Sequence, residues 1–223
     1  MTETFSDGVL AIVCDGMGGM QNGADASKLA IEAAGDTFRG GYQENMDTEA
    51  VCALLRESTI AANQAVYHAA VHGPTRIRMG STLVGAFVRE QLTSLVNVGD
   101  SRAYLIAADE GDAMQLTLDH TVVQLLYERG DIEAEERATH PRRNELTRAI
   151  GVSYRVLPDI YQLQVRPDDK LLLCSDGLYN FVSTEKIAEI VRKLPPDEVP
   201  AALVAEANAN GGKDNISVIL LAA

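Results

Sequence analysis

Four acidic residues stand where apolar runs end. Asp15 follows residues 9–14 in AIVCDGMGG, Asp100 lies between two apolar runs in VNVGDSRAYLI, Asp176 follows residues 170–174 in LLLCSDGL, and Asp214 precedes the apolar run of KDNISVILL. A carboxylate at a strand end is held rigidly. The glycines beside Asp15 (Gly16, Gly18, Gly19) let a backbone carbonyl and water approach whatever it binds. Hard divalent cations such as Mg²⁺ and Mn²⁺ favour all-oxygen sites of this kind. One such acid is an ordinary Asp-Gly turn. Four of them in 223 residues describe one edge lined with carboxylates, which repel one another unless cations neutralise them.

Competing uses of these residues fail on spacing. A phosphate-binding P-loop needs Lys-Ser/Thr after its second glycine, but Ala24-Asp25 follow Gly23; the dinucleotide fingerprint needs glycine where Gln21 stands. The three cysteines, Cys14, Cys52 and Cys174, are odd in number and form no CxxC pair, so they read as small buried hydrophobes in a reducing compartment. His68 and His72, four apart near a helix C-terminus, fit an exposed pair favoured by the helix dipole better than a metal pair. His140, before a proline, reads as capping or packing ahead of proton donation.

The elements that must position the acids follow from periodicity. Residues 9–14 form a short apolar run, as expected of a strand covered on both faces. Helical spacing covers 24–38 and 48–71; in the second, Val51, Leu54, Leu55, Ala62, Ala65, Val66 and Ala69 share one stripe. Strands are expected over 81–88, 94–98, 102–107, 159–165, 170–174 and 216–221, and helices over 184–193 and 197–209. The stretch DHTVVQLLYERGDIEAEER reads as helical and leads into the irregular ATHPRRNELTRAIG. No linker, repeat or low-complexity segment interrupts the chain, so residues 1–223 are expected to form one α+β domain. With 46 % apolar residues it can build a sizeable core, and a formal charge of −13 argues against nucleic acid or an anionic membrane as partner. No signal segment and no membrane-length apolar run is present, which points to the cytoplasm.

DGMGG, GSTLVGAFV, NVGDSRAYLI, LTLDHTVVQLLYERG, LTRAIG, LLLCSDGLYNFV and KDNISVILL occur in that order. Together they resemble the metal-dependent serine/threonine protein phosphatases (PPM, type 2C), bacterial members especially, from about Asp7 to Ala223. The resemblance implies a four-layer α-β-β-α sandwich, two central antiparallel sheets flanked by helices. It implies hydrolysis of phosphoserine and phosphothreonine on proteins at a two-metal centre of Mn²⁺ or Mg²⁺. Carried over residue by residue, Asp15 would bridge both metals, the Gly16 carbonyl would help hold the second, Asp176 and Asp214 would hold the first, and Asp100 would bind a third, weaker ion. Asp15, Asp176 and Asp214 would then be catalytic through the metals, whose bridging hydroxide attacks phosphorus in line. No protein nucleophile is required. A cysteine nucleophile would want C-x5-R, and Met20, Ser58 and Asn180 stand at the three arginine positions. Met17 replaces the histidine of eukaryotic members, which leaves the general acid unassigned with water as the default. Arg102 is expected to order the Asp100 turn, and Arg142 and Arg143 either meet a phosphoprotein or are simply solvated. Natural partners would be phosphoserine and phosphothreonine proteins, a serine/threonine kinase and its targets among them.

One family feature is not in the sequence. The Arg-x-x-Asn-Glu-Asp pattern, carried by the family's first strand, does not occur, and Glu3 and Asp7 are out of register for it. The resemblance therefore implies a missing first strand with an unpaired sheet edge, a missing metal ligand and a missing phosphate-gripping arginine. Two readings stand side by side: a phosphatase of weak activity in this form, or a non-catalytic module binding metal or phosphoprotein.

Overall fold

Val9–Val13 (β2) is apolar at all five positions because both its faces are covered. Side chains alternate along a strand. Leu10 and Ile12 pack with Phe38, Leu55 and Val66, whereas Ala11 and Val13 pack with Leu171 and Leu173 of a second sheet. Lys170–Cys174 (β10) repeats the device: Leu171 and Leu173 lie between the sheets, and Leu172 and Cys174 face Ile187, Val191 and Leu203.

The computed structural model describes residues 1–72, 78–109, 111–212 and 214–222. The first sheet has the order β1-β2-β5-β6-β9, with β1 Thr2–Thr4, β5 Leu83–Arg89, β6 Leu92–Val98 and β9 Asp159–Gln164. The second has the order β11-β10-β7-β8, with β7 Arg102–Ile106, β8 Met114–Gln115 and β11 Val218–Ala222. A short ribbon pairs β3 (Gly16–Met17) with β4 (Gly80–Ser81). Helices α1 (Met20–Gly41) and α2 (Thr48–His72) cover the outer face of the first sheet. Helices α5 (Thr184–Lys193) and α6 (Val199–Ala209) cover that of the second. These are the four layers expected. Among the described residues no helix is long and apolar enough to cross a membrane.

Two local expectations are corrected and one element is added. The helical reading of 119–137 breaks into α3 (Val122–Glu128) and a 3-10 turn (Ala134–Ala138), because Gly130 takes a φ of 74° between them. Asp176 opens a short helix, α4 (Asp176–Tyr179), which had not been anticipated. The side of β2 expected to be unpaired carries a strand after all: Thr2–Thr4 pairs with it in the register Thr2↔Ala11, and the Met1 ammonium donates to the Ile12 carbonyl at 2.8 Å.

Candidate metal centre

Strand register decides which acids meet. Cys174 pairs with Arg102 on one side and Val218 on the other, so the turns bearing Asp100, Asp176 and Asp214 emerge side by side at one end of the second sheet. In the first sheet, Val13↔Val84 and Leu83↔Val98 bring Asp15 to the end where β6 delivers Asp100. All four sequence-predicted carboxylates interact electrostatically there, and Asp100, Asp176 and Asp214 line a cavity of about 720 Å³.

Backbone contacts hold the turns with little freedom. The Thr82 N–H and the Ser81 hydroxyl donate to the Asp15 carbonyl at 2.8 and 3.0 Å, and the Asp15 N–H donates to Thr82 Oγ1 at 2.9 Å. Thr82 Oγ1 also meets Ser101 Oγ at 2.6 Å, so two buried hydroxyls link the Asp15 turn to the Asp100 turn. Gly16 must be glycine: a Cβ there would stand 1.8 Å from the Gly23 carbonyl oxygen. Gly99, at φ +104°, makes the turn that an L side chain would strain. The Tyr179 hydroxyl donates to the Asp100 carbonyl at 2.9 Å, and Asn180 Nδ2 donates to Asp176 Oδ2 at 3.2 Å. Arg102 lies 3.5 Å over the Tyr179 ring and is bound by Asp119 through contacts down to 2.6 Å. It thus orders the Asp100 turn through Tyr179. Thr82, Ser101, Asp119, His120, Tyr179 and Asn180 were not singled out beforehand as parts of the site; the only hint of them is their place within or beside the acid-bearing motifs.

The electrostatics of the clustered acids favour cations. Burial pushes Asp100 up to about 7, with Asp176 and Asp119 adding to the effect. Burial pushes Asp15 up to about 7, with Asp176, Asp214 and Asp100 adding to the effect, and burial with the Asp214 charge raises Asp176 as well. Asp176 Oδ1 is buried and has no hydrogen-bond partner among the described residues. An orphaned carboxylate oxygen among other acids fits a hard divalent ion, because the donors are all oxygen. Among the described residues no three acidic, imidazole or thiol side chains already form a set that would hold an ion alone. Mg²⁺-like ions bound through one or two carboxylates keep several waters, so a sparse set of ligands suits them. The buried Cys14 and Cys174 thiols are pushed up to about 12 by burial and stay protonated, as structural cysteines should.

A pH dependence follows. Carboxylates raised on folding contribute stability that is fully present below their unfolded value near 4 and lost as pH rises through about 7. The chain stripped of divalent ions should therefore lose thermal stability between pH 5 and pH 8, and saturating Mn²⁺ should raise its melting temperature more at pH 8 than at pH 5. Thermal scans with and without EDTA check this; an equal Mn²⁺ effect at both pH values would contradict it.

The remaining candidates separate cleanly. His68 and His72 are exposed on α2, with ring centroids 5.3 Å apart, as expected of a pair outside the site. His140 Nδ1 accepts from the Arg142 N–H at 3.1 Å, a turn-capping role. Arg142 pairs with Glu145 at 2.7 Å in solvent. Arg143 instead lines the cavity, and its guanidinium makes no ion pair or hydrogen bond among the described residues. Met17 lies in a different groove, with Tyr67, Met79 and Val152.

Comparison with known proteins agrees with this geometry. The protein phosphatase 2C family model matches residues 6–216. The chain is 36% identical over 214 residues to the serine/threonine phosphatase stp of Listeria innocua, covering 95% of this chain and 83% of that one. It is 35% identical over 221 residues to the serine/threonine protein phosphatase PstP of Mycobacterium tuberculosis, covering 98% of this chain and 41% of that one. The crystal structure of the M. tuberculosis phosphatase PstP/Ppp superposes with a TM-score of 0.85 at 32% identity, covering 99% of this chain and 89% of that one. The catalytic domain of PstP in complex with two manganese ions superposes with a TM-score of 0.81 at 31% identity, covering 99% and 89%. With its two sheets, its four strand-end carboxylates and a family match spanning residues 6–216, the chain belongs to the protein phosphatase 2C family.

Proposed function

We propose that residues 1–223 act as one domain that hydrolyses phosphoserine and phosphothreonine on proteins at this carboxylate-lined cleft. The observation that carries the reading is the convergence of Asp15, Asp100, Asp176 and Asp214 from separate strand ends, with a buried oxygen of Asp176 left without a hydrogen-bond partner among the described residues. Asp15, the Gly16 carbonyl, Asp176 and Asp214 would hold two Mn²⁺ or Mg²⁺ ions, and Asp100 a third, weaker one. When bound, such ions lower the pKa of water and offset charge on phosphoryl oxygens. The chain's own residues do the rest. The Thr82–Ser101 hydroxyl pair keeps the Asp15 and Asp100 turns in fixed relation, and Asn180 orients Asp176. Arg143 offers the cavity wall a guanidinium free to meet an anionic group of a bound phosphoprotein. Three free cysteines suit the reducing cytoplasm, where a serine/threonine kinase and its targets are the natural partners.

The test is Mn²⁺-dependent release of phosphate from phosphoserine and phosphothreonine peptides by the purified chain, beside Asp100→Asn. Turnover by the parent chain is expected, with a fall of about tenfold in the variant while tight Mn²⁺ binding persists, in line with the loss of one charged contact. Mn²⁺ binding without turnover in the parent would favour a binding module. Loss of all metal with Asp100 would move that residue into the tight pair.

A further inference from the structure

His120 is buried to 4 % exposure, and the metal-binding role proposed for the four acids does not use it. Its backbone N–H donates to the Gly99 carbonyl at 2.9 Å, and the Gly99 N–H donates back to its Nδ1 at 3.1 Å. With Nδ1 accepting, the ring hydrogen sits on Nε2, 3.0 Å from Asp159 Oδ2. The Arg148 guanidinium lies 3.1 Å from the same Nε2, but two donors cannot bond to each other; Arg148 donates instead to Asp159 Oδ1 at 2.7 Å. Asp159 therefore accepts from both. The His120 carbonyl is also taken, by the Thr147 N–H at 2.8 Å.

These bonds have a topological consequence. His120 immediately precedes segment 121–158, and Arg148 and Asp159 stand where that segment returns to β9. The segment carries Gln124, Arg137, Arg143 and Asn144 along the wall of the cavity. Both its ends are thus gathered at one imidazole, and the other edge of that imidazole grips the turn bearing Asp100. Asn63 of α2 fastens the stretch near the return, accepting from the Gly151 N–H at 2.8 Å and donating to the Ser153 carbonyl at 3.0 Å. The middle of the segment has no comparable fastening to either sheet among the hydrogen bonds of the described residues.

We propose that His120 is a positioning residue that sets the Gly99–Asp100 turn and segment 121–158 as one unit, so that an ion on Asp100 and a phosphopeptide in the cleft strengthen each other's binding. The first half rests on hydrogen bonds alone; the second rests on Asp100 being a metal ligand. Coupling of this kind is reciprocal: whatever the peptide adds to ion affinity, the ion adds to peptide affinity. The occupant of the cleft that matters is a peptide rather than a small phosphate ester, because only a peptide reaches the wall that the segment provides.

The full-length chain carrying His120→Asn tests this, with Asp159→Ala as the second variant. Asparagine places its Oδ1 near the position of Nδ1 and keeps the Gly99 bond, but it is too short to reach Asp159. Amide hydrogen exchange should quicken about tenfold across residues 121–158 in both variants, and the double variant should be no worse than either single one. KM for a phosphopeptide should rise about tenfold while KM for p-nitrophenyl phosphate stays put. By calorimetry, a non-hydrolysable phosphopeptide mimic should tighten the weaker Mn²⁺ site of the parent chain but not of the variants. Unchanged exchange over 121–158 in both variants would overturn the proposal. So would KM rising equally for both substrates, which is the mark of a merely structural loss. A parent chain without any weaker Mn²⁺ site would overturn the coupling to Asp100 and that reading of the residue, while the exchange and KM results still decide whether His120 positions segment 121–158.

Discussion

Asp176→Asn is expected to lose tight Mn²⁺ binding and to turn over phosphopeptides about a thousandfold more slowly or worse, since an ion at the reacting phosphoryl group is worth several kcal/mol and each 1.4 kcal/mol is about tenfold. The fold should survive. Asp176 sits at the first turn of α4, and its buried Oδ1 makes no hydrogen bond among the described residues, so amide substitution forfeits none of those bonds at that atom. Asparagine also removes one of the charges that repel Asp15, Asp100 and Asp214. The metal-free variant should therefore melt no lower than the metal-free parent at pH 8. Calorimetric Mn²⁺ titration, phosphopeptide kinetics and a thermal scan in EDTA give the three readings. An unaltered Mn²⁺ titration would remove Asp176 from the centre, and a lower melting point in EDTA would show that it holds the fold and not an ion.

The largest stability effect is expected at Arg102. Its guanidinium makes three contacts of 2.6–3.2 Å with Asp119, donates to Tyr104 Oη at 2.8 Å and stacks on Tyr179, and the Arg102 and Asp119 side chains are only 22% and 14% exposed. Arg102→Met would leave Asp119 charged, enclosed and without its cation. Breaking one side of such a pair costs about 3–5 kcal/mol, which in a chain of this size lowers the melting temperature by roughly 10 °C. Replacing both partners, as Arg102→Met with Asp119→Leu, should restore most of the stability, since apolar substitutes for a buried pair are often neutral. Thermal unfolding of the single and double variants in EDTA checks this. A single variant that melts within about 2 °C of the parent would mean that solvent already screens the pair.

The carboxylates proposed as metal ligands were legible in the sequence because of their surroundings. Asp15, Asp100, Asp176 and Asp214 each border an apolar run, and a run apolar at consecutive positions announces a strand covered on both faces. The long elements were legible for a related reason: apolar stripes mark α2 and α5, and β10 spans residues 170–174 as its composition foretells. Periodicity reports which face of an element is buried, and that is enough to place it in a layer.

What periodicity does not carry is register and local cancellation. Nothing local in LLLCSDGL says that Cys174 will pair with Arg102 and Val218, yet that pairing sets Asp176 between Asp100 and Asp214. Residues 119–137 look helical throughout by composition, but the φ of 74° at Gly130 ends α3 and turns the chain back over the cleft. Met1–Thr4 has too few apolar residues to announce a strand; the free edge of β2 made it one. The contacts that hold the acids in place span long stretches of sequence, Thr82 to Asp15 over 67 residues and His120 to Asp159 over 39, so each exists only once the sheets have formed. Residue type and spacing by themselves determined which groups could bind an ion, since that depends on the chemistry of each side chain. Only the tertiary structure decided that they meet, and which neighbours hold them there, because register across a sheet is set by pairing between strands distant in sequence and not by any one strand's own pattern.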